Sequence, residues 1–504
     1  MTTETRDTRL AWLRRHHEVI LLGIILLAAL ALRLYGLERS SLWLDELMQV
    51  QAARRPWWAV PKAALGHDGS APLDYLITHF VYYHIGRSEG ILRLPAVLWG
   101  VLSVATVYFL GKRMFDKTTG FLAAALLTIL PSHIYYSQEV RPYSLPALMV
   151  LLATFAFYHA VSRNTRGAWA LYGITLVIGM YSHYYVAIVG ILHGAYLVLM
   201  ALAKRLPWNR LLPYVVAACA AGLLFLPWPL SDTITTSQTF RMPGVGTLFS
   251  APFVSTGVNY KFTLLHPLTW FAGFVWLSAL AGVVLVITGG SAARNNIGLL
   301  AVVVLFGLTA VVTLDYTAPY FFSTRQFLPF APLLILLGSA GALAIVRAVS
   351  RRLAPHLPGD AVAAAAAVVL VLFAAGTLSG ALSDIYRYKK EDWGTASRYL
   401  IQYAHQNDVI IARHPYFKYY YAPELANQII ALTDVGTIQT QANKHARVWI
   451  LAETVWRRYG YVPDVVAWIE ATKPLEVKRF SGLRLYLYSA TLTPQQLEAT
   501  LKQW

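Results

Sequence analysis

The amino-acid sequence predicts a polytopic α-helical membrane protein that carries a small α/β domain at its C-terminal end. The 504 residues are 57% hydrophobic and 13% charged, about half the charged share of soluble domains, and the mean hydropathy is +0.49. Apolar runs of about 20 residues, each long enough to cross a bilayer, recur along the first three quarters of the chain. After residue 383 the composition changes to short strand and helix patterns.

The net charge of +17 would suggest a nucleic-acid partner in a soluble protein. Here the Lys and Arg residues lie mostly in short loops between apolar runs, which is the pattern that sets membrane topology, so nucleic acid is discounted. The lone cysteine, Cys219, lies within an apolar run, and no internal disulfide can form.

About eleven membrane spans are predicted. The first, from Val19, lacks a small-residue cleavage site and is followed by further spans, so it is interpreted as an anchor rather than a removed signal peptide. The spans lie approximately at 19–37, 91–111, 120–136, 142–161, 168–182, 184–203, 212–230, 267–288, 296–315, 324–346 and 361–382.

Alternate loops between these spans differ in charge. One set is short and basic and is therefore predicted to be cytoplasmic, together with the N-terminus. Its cations are Arg14, Arg15, Lys112, Arg113, Lys117, Arg163, Arg166, Lys204, Arg205, Arg210, Arg294, Arg347, Arg351 and Arg352. The other set is longer and carries the acids and aromatic residues, so it is predicted to face the outside, as is everything after 383.

The first outer loop, 38–90, is predicted to be structured. Trp43, Leu47 and Val50 recur at helical spacing, and Pro56 ends that helix. A second stretch, 73–85, alternates apolar and aromatic residues. We therefore expect two or three helices lying along the membrane surface, close to the water–lipid boundary.

The residues from 384 to 504 are predicted to form an outer α/β domain of ordinary size, beside a membrane module of residues 1–383. A helix is expected soon after 384, followed by a short buried strand, Val409–Ala412. "RVWILAE" predicts another strand, "DVVAWIEAT" a helix, and "LEVKRFSGLRLYLYSA" a hairpin that turns at Ser481-Gly482.

Motifs for nucleotide, zinc or redox chemistry are absent from the sequence: there is no Walker A loop, no G-x-G-x-x-G after a strand, no H-E-x-x-H and no C-x-x-C. An enzyme that works outside the cell without nucleotides needs a substrate that is already activated.

Charged residues gather at one predicted membrane depth on the outer side. Asp45 and Glu46 follow the first span, Glu139 and Arg141 lie in a very short outer loop, and Arg325 begins a span from its outer end. His183 lies in a third short turn and is followed by Tyr184. Carboxylates and arginines near lipid are costly and point to function.

Six stretches in this order carry a family resemblance: "LWLDE", "APLDYLITHFVYY", "LRLPAVLWGVLSVATVYFLGKRMFD", "HIYYSQEVRPYSL", "SHYYV" and "RQFLPFAPLLILL". Over roughly residues 19–345 the chain resembles bacterial membrane glycosyltransferases of family 39 type, which are similar to protein O-mannosyltransferases and to the lipid A aminoarabinose transferase. The resemblance implies the GT-C architecture and a polyprenyl-phosphate sugar donor. Where the family often has Arg-Tyr, this chain has Arg325-Gln326.

The resemblance implies that Asp45 is the catalytic aspartate. The chemistry agrees, because a phosphate leaving group needs no general acid, whereas one base must take the proton of the attacking hydroxyl. Arg325, Arg141 and Lys261 are candidates for binding the phosphate. No cofactor is required. A divalent cation (Mg or Mn) held by Asp45 and Glu139 is the alternative, ranked below the metal-free version because two acids distant in sequence are a poor metal signature.

Each further candidate also has a structural explanation. Glu46 and Glu139 are candidate catalytic acids, but Glu46 also suits a helix N-terminus, and Glu139 could pair with Arg141. Arg325 could be an anchor whose charge reaches the membrane surface. The others are candidate substrate contacts that also suit packing, interfacial or solvent-exposed positions: His183, Tyr184, Lys261, His67 and Asp68.

The sequence thus predicts an inverting, mannosyltransferase-like hexosyl or pentosyl transferase of the bacterial plasma membrane. It would move a sugar from a polyprenyl-phosphate donor to a hydroxyl of a glycan, lipid or protein on the outer face, where the active site and the C-terminal domain lie. A lipid-linked glycan ligase is the nearer alternative. A secondary transporter is the alternative from another class, although no internal repeat is present and the acids cluster at one surface.

Overall fold

The computed structural model describes residues 3–65, 71–228, 230, 242–255, 262–288, 293–317, 323–454 and 463–489. Short 3-10 helices at Trp208–Arg210 and Thr324–Phe330 precede α11 and α16, and a π-helical turn, Val302–Phe306, joins α14 to α15. The helices of the membrane module, numbered in chain order, are α1 (Thr3–Leu34), α2 (Leu44–Ala53), α3 (Val60–Leu65), α4 (Leu73–His84), α5 (Glu89–Met114), α6 (Lys117–Thr128), α7 (Pro131–Tyr136), α8 (Ser144–Arg163), α9 (Arg166–Ser182), α10 (Tyr185–Leu202), α11 (Leu211–Phe225), α12 (Val245–Ser250), α13 (Pro267–Thr288), α14 (Ala293–Ala301), α15 (Gly307–Thr317), α16 (Ala331–Leu353) and α17 (Gly359–Arg387).

Nine helical stretches of the described residues are long and apolar enough to cross a membrane, namely those of α1, α5, α8, α10, α11, α13, α14–α15, α16 and α17. The chain is therefore a multi-pass membrane protein, as predicted. In two of the predicted spans the helices are shorter than the 18 residues of the shortest of these nine stretches. The helix α9 has 17 residues, and the predicted span 120–136 is divided into α6 and α7. Pro131 begins α7, where its missing N–H costs nothing.

The end of α6 is held by a buried arginine of α1. The Arg33 side chain is fully buried and donates to the carbonyl oxygens of Leu127 and Thr128, 3.3 and 3.4 Å away, and it contacts Nδ1 of His133 at 2.8 Å. Because the last carbonyls of a helix have no partner within it, a guanidinium at this position satisfies them and attracts the negative end of the helix dipole.

The packing of α13 on α16 depends on a close approach of their backbones. A Cβ atom at Gly341 would collide with the carbonyl oxygen of Ser278. Small residues allow the two backbones to pack this closely. Close packing is a main source of helix association in a bilayer, where burial of apolar side chains supplies little driving force. Both residues lie in the buried part of the bundle.

The C-terminal region forms a five-stranded sheet in the order β2-β1-β3-β5-β4. Strands β2, β1 and β3 are parallel, whereas β5 runs antiparallel to β3 and β4. Its elements are α18 (Trp393–Tyr403), β1 (Val409–Ala412), β2 (Ile429–Ala431), α19 (Val435–Ala442), β3 (Arg447–Glu453), α20 (Pro463–Ala471), β4 (Glu476–Phe480) and β5 (Leu483–Ser489), with short 3-10 helices at Pro415–Tyr419 and Pro423–Leu425. The predicted strand Val409–Ala412 and the hairpin turn at Ser481-Gly482 are confirmed, and Gly482 adopts the left-handed conformation (φ 66°) that the turn requires.

The sheet domain and the membrane module share one hydrophobic core. One face of the sheet packs with α18 on the first loop between spans, which consists of three helices, α2, α3 and α4, as predicted. Leu47 and Val50 of α2 lie in the same buried cluster as Trp393 and Ile410. The opposite face of the sheet packs on α19 and α20. Because burial of apolar surface is the main stabilising term outside the bilayer, this shared core holds the domain over α2.

Candidate active site

Asp45 lies in the first turn of α2, where the helix dipole favours a carboxylate. Its Oδ2 atom is 3.1 Å from Nη1 of Arg325 and 3.9 Å from Nε of Arg141. Arg325 lies on the 3-10 helix that precedes α16, and Arg141 lies on the loop between α7 and α8. The fold therefore brings together three of the predicted site residues from three distant parts of the chain.

Tyr143 lies beneath both arginines. The centre of its ring is 5.6 Å from the guanidinium carbon of Arg141 and 5.3 Å from that of Arg325. Its hydroxyl accepts a hydrogen bond from Nη2 of Arg141 at 3.5 Å, and Nη1 of Arg141 donates to the hydroxyl of Tyr75 at 3.3 Å. An aromatic face attracts a guanidinium, so one ring orients both cations towards Asp45.

Glu46, the next residue in the chain, is fully buried. Arg93 of α5 donates to both of its oxygens, at 2.9 and 2.8 Å, and the backbone N–H of Val140 donates to Oε1 at 2.9 Å. Burial by itself would raise the pKa of Glu46, but the charges of Arg93 and Lys390 and these hydrogen bonds lower it to about 2. Glu46 is thus ionised and links α2 to the residue that precedes Arg141.

Glu139 is paired with Lys390 rather than with Arg141. The Lys390 ammonium donates to Oε1 of Glu139 at 2.7 Å and lies 3.8 Å from Oε2 of Glu46. It also stands over the rings of Trp43 and Tyr135, at 5.5 and 5.1 Å. Burial raises the pKa of the Glu139 carboxyl, while the Lys390 charge opposes that shift.

His183 lies between α9 and α10, on the side of the site that carries Arg141. Its Nδ1 atom accepts a hydrogen bond from the backbone N–H of Tyr185 at 3.3 Å, and its ring packs 4.4 Å from the Tyr185 ring. Burial and the nearby Arg141 charge lower the pKa of His183 to about 4, so its imidazole is neutral near pH 7. Tyr184 packs against Phe225. His67, Asp68 and Lys261 lie outside the described residues.

Three residues of this region were not predicted from the sequence. Tyr143 and Lys390 are described above, and Glu391 follows Lys390 directly. Burial first, and then the negative charges of Glu453 and Asp45, raise the pKa of Glu391 to about 7. The signal that could have identified Lys390 is the run Lys389-Lys390-Glu391-Asp392, which places charge directly after the last span, on the side that the loop charges predict to be outside, where lysine is not expected.

The residues present do not fit a divalent cation shared by Asp45 and Glu139. Within the described ranges no group of three His, Cys, Asp or Glu side chains is arranged to hold a metal ion. The two carboxylates are also held by different cations, Asp45 by Arg325 and Glu139 by Lys390. A cation shared by these two carboxylates would have to compete with both ion pairs.

Comparison with known proteins identifies the architecture. Residues 70–230 match the family model described as dolichyl-phosphate-mannose-protein mannosyltransferase. No curated protein matches the chain in sequence. Among solved structures, ArnT from Cupriavidus metallidurans bound to undecaprenyl phosphate is similar over 95% of this chain and 99% of its own, with a TM-score of 0.58 and 13% identity. The chain has the GT-C fold.

A second similar structure supports this assignment of the GT-C chain. The oligosaccharyltransferase of Archaeoglobus fulgidus superposes with a TM-score of 0.55 and 12% identity, over 88% of this chain and 70% of its own. The resemblance predicted from the sequence is confirmed for the fold along nearly the whole chain, and the family model matches within it over residues 70–230.

Proposed function

We propose that this GT-C chain is an inverting glycosyltransferase that moves a sugar from a polyprenyl-phosphate donor to a hydroxyl group. The observation that supports it is the contact of one carboxylate, Asp45, with two guanidinium groups, those of Arg141 and Arg325. This arrangement pairs a base with two phosphate-binding groups, which is what transfer from a phosphate-linked sugar needs. The ArnT structure with undecaprenyl phosphate supports a lipid phosphate as the donor's carrier.

The proposed step is a direct displacement. Asp45 accepts the proton of the acceptor hydroxyl as its oxygen forms a bond to the anomeric carbon, on the face opposite the phosphate. The bond between the anomeric carbon and the phosphate oxygen breaks, and its electron pair leaves with the polyprenyl phosphate. Arg141 and Arg325 stabilise the charge that develops on that phosphate. The anomeric configuration is inverted because attack and departure occur on opposite faces.

The surrounding residues position Asp45 and the two arginines, and none of them exchanges a proton or forms a covalent bond in the proposed step. Glu46 connects α2 to Val140, so the distance between Asp45 and Arg141 depends on a buried ion pair with Arg93. His183 is neutral and can contact substrate hydroxyls. The acceptor would enter beneath the sheet domain, on the outer face of a bacterial plasma membrane. The proposed step does not depend on substrate contacts by His67, Asp68 or Lys261.

The test is transfer of radiolabelled sugar from a panel of polyprenyl-phosphate donors by the purified full-length chain. We expect Asp45→Asn to lower the transfer rate by about 10²- to 10⁴-fold, the usual effect of losing a general base, while the affinity for undecaprenyl phosphate stays within a few fold. Transfer by Asp45→Asn at the wild-type rate would show that Asp45 is not the general base. A chelator should leave the wild-type rate unchanged, and loss of activity with chelator would restore the cation alternative.

A lipid-linked glycan ligase is the second candidate, and the similarity to the Archaeoglobus oligosaccharyltransferase favours it. The same Asp45 and arginines would serve, because the two reactions differ in the length of the transferred glycan. Adding donors that carry an oligosaccharide to the panel separates them. If the chain used only donors that carry an oligosaccharide, it would be a glycan ligase and the single-sugar proposal would be wrong.

A further inference from the structure

A cavity of about 50 Å³ lies between the outer ends of α1 and α17 and the start of α5. We call it the interfacial cleft. Its volume is several times what one ordered water needs, which leaves room for a group the size of a phosphate. It is defined by three cations and three tyrosines, namely Arg39, Arg93, Lys390, Tyr135, Tyr386 and Tyr388.

The charged side chains that line the interfacial cleft are all cations, and because Arg93 and Lys390 are ion-paired with Glu46 and Glu139, Arg39 supplies the charge that is available to a ligand. All the residues that line it belong to the described part of the chain, and none of them is an aspartate or a glutamate. The acids that pair with Arg93 and Lys390, Glu46 and Glu139, are not among the residues of the cleft wall. A phosphate carries negative charge and several acceptor oxygens, so it matches this lining.

Arg39 is placed at the rim to contact such an anion. Its side chain is exposed, and Nη2 donates to the hydroxyl of Tyr35 at 2.9 Å while the guanidinium stands 4.4 Å from the centre of that ring. A guanidinium has five N–H donors, so this contact leaves others for a ligand. The floor of the cleft is buried, since Leu37 is 8% exposed and Ile385 7%.

The cleft opens beside the two spans that pack least against the rest of the chain. Only 11% of the α1 span and 17% of the α17 span are buried, the lowest shares among the nine described spans, so these helices adjoin lipid. Tyr35 and Tyr386 pack edge to face between them at 5.1 Å. Tyrosines at the ends of peripheral spans lie at headgroup level, and basic pockets at that depth suit anionic headgroups.

We propose that the interfacial cleft binds the phosphate headgroup of an anionic membrane lipid, whose chains lie along α1 and α17. This site is separate from the proposed transfer site, because Asp45, Arg141 and Arg325 do not line it. Lys390 belongs to its wall and also pairs with Glu139 and Glu46. A lipid in the cleft therefore contacts the network that fixes the loops of the transfer site.

The experiment is native mass spectrometry of the full-length chain titrated with dioleoyl phosphatidic acid, with diacylglycerol of the same chains, and with inorganic phosphate. We expect the wild type to retain phosphatidic acid in preference to diacylglycerol. Arg39→Gln should weaken that binding by about tenfold, the usual effect of losing a charge-assisted hydrogen bond. Arg55→Gln is the matched control, since Arg55 is an exposed arginine of the first loop that does not line the cleft.

A second variant separates this proposal from the proposed function. Arg325→Gln removes a proposed phosphate ligand of the transfer site and should leave the Arg39-dependent binding of phosphatidic acid intact. If Arg325→Gln abolishes all binding of phosphatidic acid, the lipid occupies the transfer site and the cleft proposal is wrong. Equal retention of diacylglycerol, or equal effects of Arg39→Gln and Arg55→Gln, would also overturn it. Binding of inorganic phosphate as tight as that of phosphatidic acid would make the cleft a free-anion site.

Discussion

Asp45 and Glu46 are neighbours in the chain with opposite surroundings. Asp45 retains 22% exposure of its side chain and contacts cations that a substrate phosphate could share, whereas both oxygens of Glu46 are saturated by Arg93 and by backbone N–H groups. Successive residues of a helix point about 100° apart, so one acid faces the site and the next faces the protein. The catalytic roles predicted for Glu46 and Glu139 remain predictions.

Tyr143 gives a prediction at the residue scale. Replacing it with leucine removes the aromatic face beneath Arg141 and Arg325, and the two cation–π contacts contribute about 0.5–2 kcal/mol each, so binding of undecaprenyl phosphate should weaken by at least about fivefold. Tyr143→Phe keeps the ring and loses one long hydrogen bond, so it should stay within about twofold of wild type. Direct binding measurements compare the two variants, and equal losses in both would rule out this role of the ring.

At the scale of elements, the segment 388–392 connects the last span to the sheet domain and forms contacts with both the membrane module and the sheet. Lys390 pairs with Glu139 of the loop between α7 and α8, and the backbone N–H of Asp392 bonds to the carbonyl of Ser481 at 2.9 Å in the β4–β5 turn. The side chain of Asp392 accepts a hydrogen bond from Ser41 at 2.9 Å. This segment therefore couples the site loops to the sheet.

Glu391 in this segment gives a pH prediction. Its folded-state pKa of about 7 lies above the ordinary value of 4.5, because burial and the charges of Glu453 and Asp45 disfavour the ionised form and Lys390 only partly offsets them. For an acid with a raised pKa, the stabilising contribution is complete below the unfolded value and is lost as pH rises through 7. The melting temperature of wild type, relative to Glu391→Gln, should therefore fall between about pH 5 and pH 7.

Thermal unfolding of both chains from pH 5 to 8 in one detergent measures this difference. Glu424→Gln is the control, because Glu424 is exposed in the same domain, and its melting temperature should follow that of wild type at every pH. A constant difference between wild type and Glu391→Gln across the range would contradict the raised pKa.

At the scale of the whole molecule, the charged cluster, the three helices of the first loop and the sheet domain all lie at one end of the helical bundle. The domain is held there by a shared core and by contacts such as the 2.7 Å hydrogen bond from the Leu42 N–H to the Tyr421 hydroxyl. A transporter would instead place its ionisable groups near the middle of the membrane. The arrangement suits an enzyme that works at one surface.

The membrane orientation gives the third prediction. The basic loops predict that the sheet domain is outside, so in a Cys219→Ser background a membrane-impermeant maleimide should label Ala446→Cys in intact cells but Gly167→Cys only after permeabilisation. Both positions are exposed, and a Cβ atom at Gly167 would meet nothing within 4 Å outside its own stretch of helix. Labelling of Gly167→Cys alone in intact cells would reverse the orientation and move the proposed active site to the cytoplasmic side.

The sequence by itself determined the features that depend on local pattern. Hydropathy identified most of the membrane spans, a short apolar run identified the buried strand Val409–Ala412, and the predicted outer placement of Asp45, Arg141 and Arg325 brought these residues into one candidate site. Apolar runs and periodicity are properties of adjacent residues, so the physics that forms helices and strands can be read from the order of the chain.

Only the tertiary structure decided the partners. Glu139 bonds to Lys390, 251 residues away, instead of to nearby Arg141, and Asp45 bonds to Arg325 across 280 residues. Tyr143 looked like one aromatic residue among many until two guanidiniums were found above it. Such pairings follow from how the helices pack and where the sheet domain docks, and no periodicity along the chain encodes which distant charges will meet in a buried site.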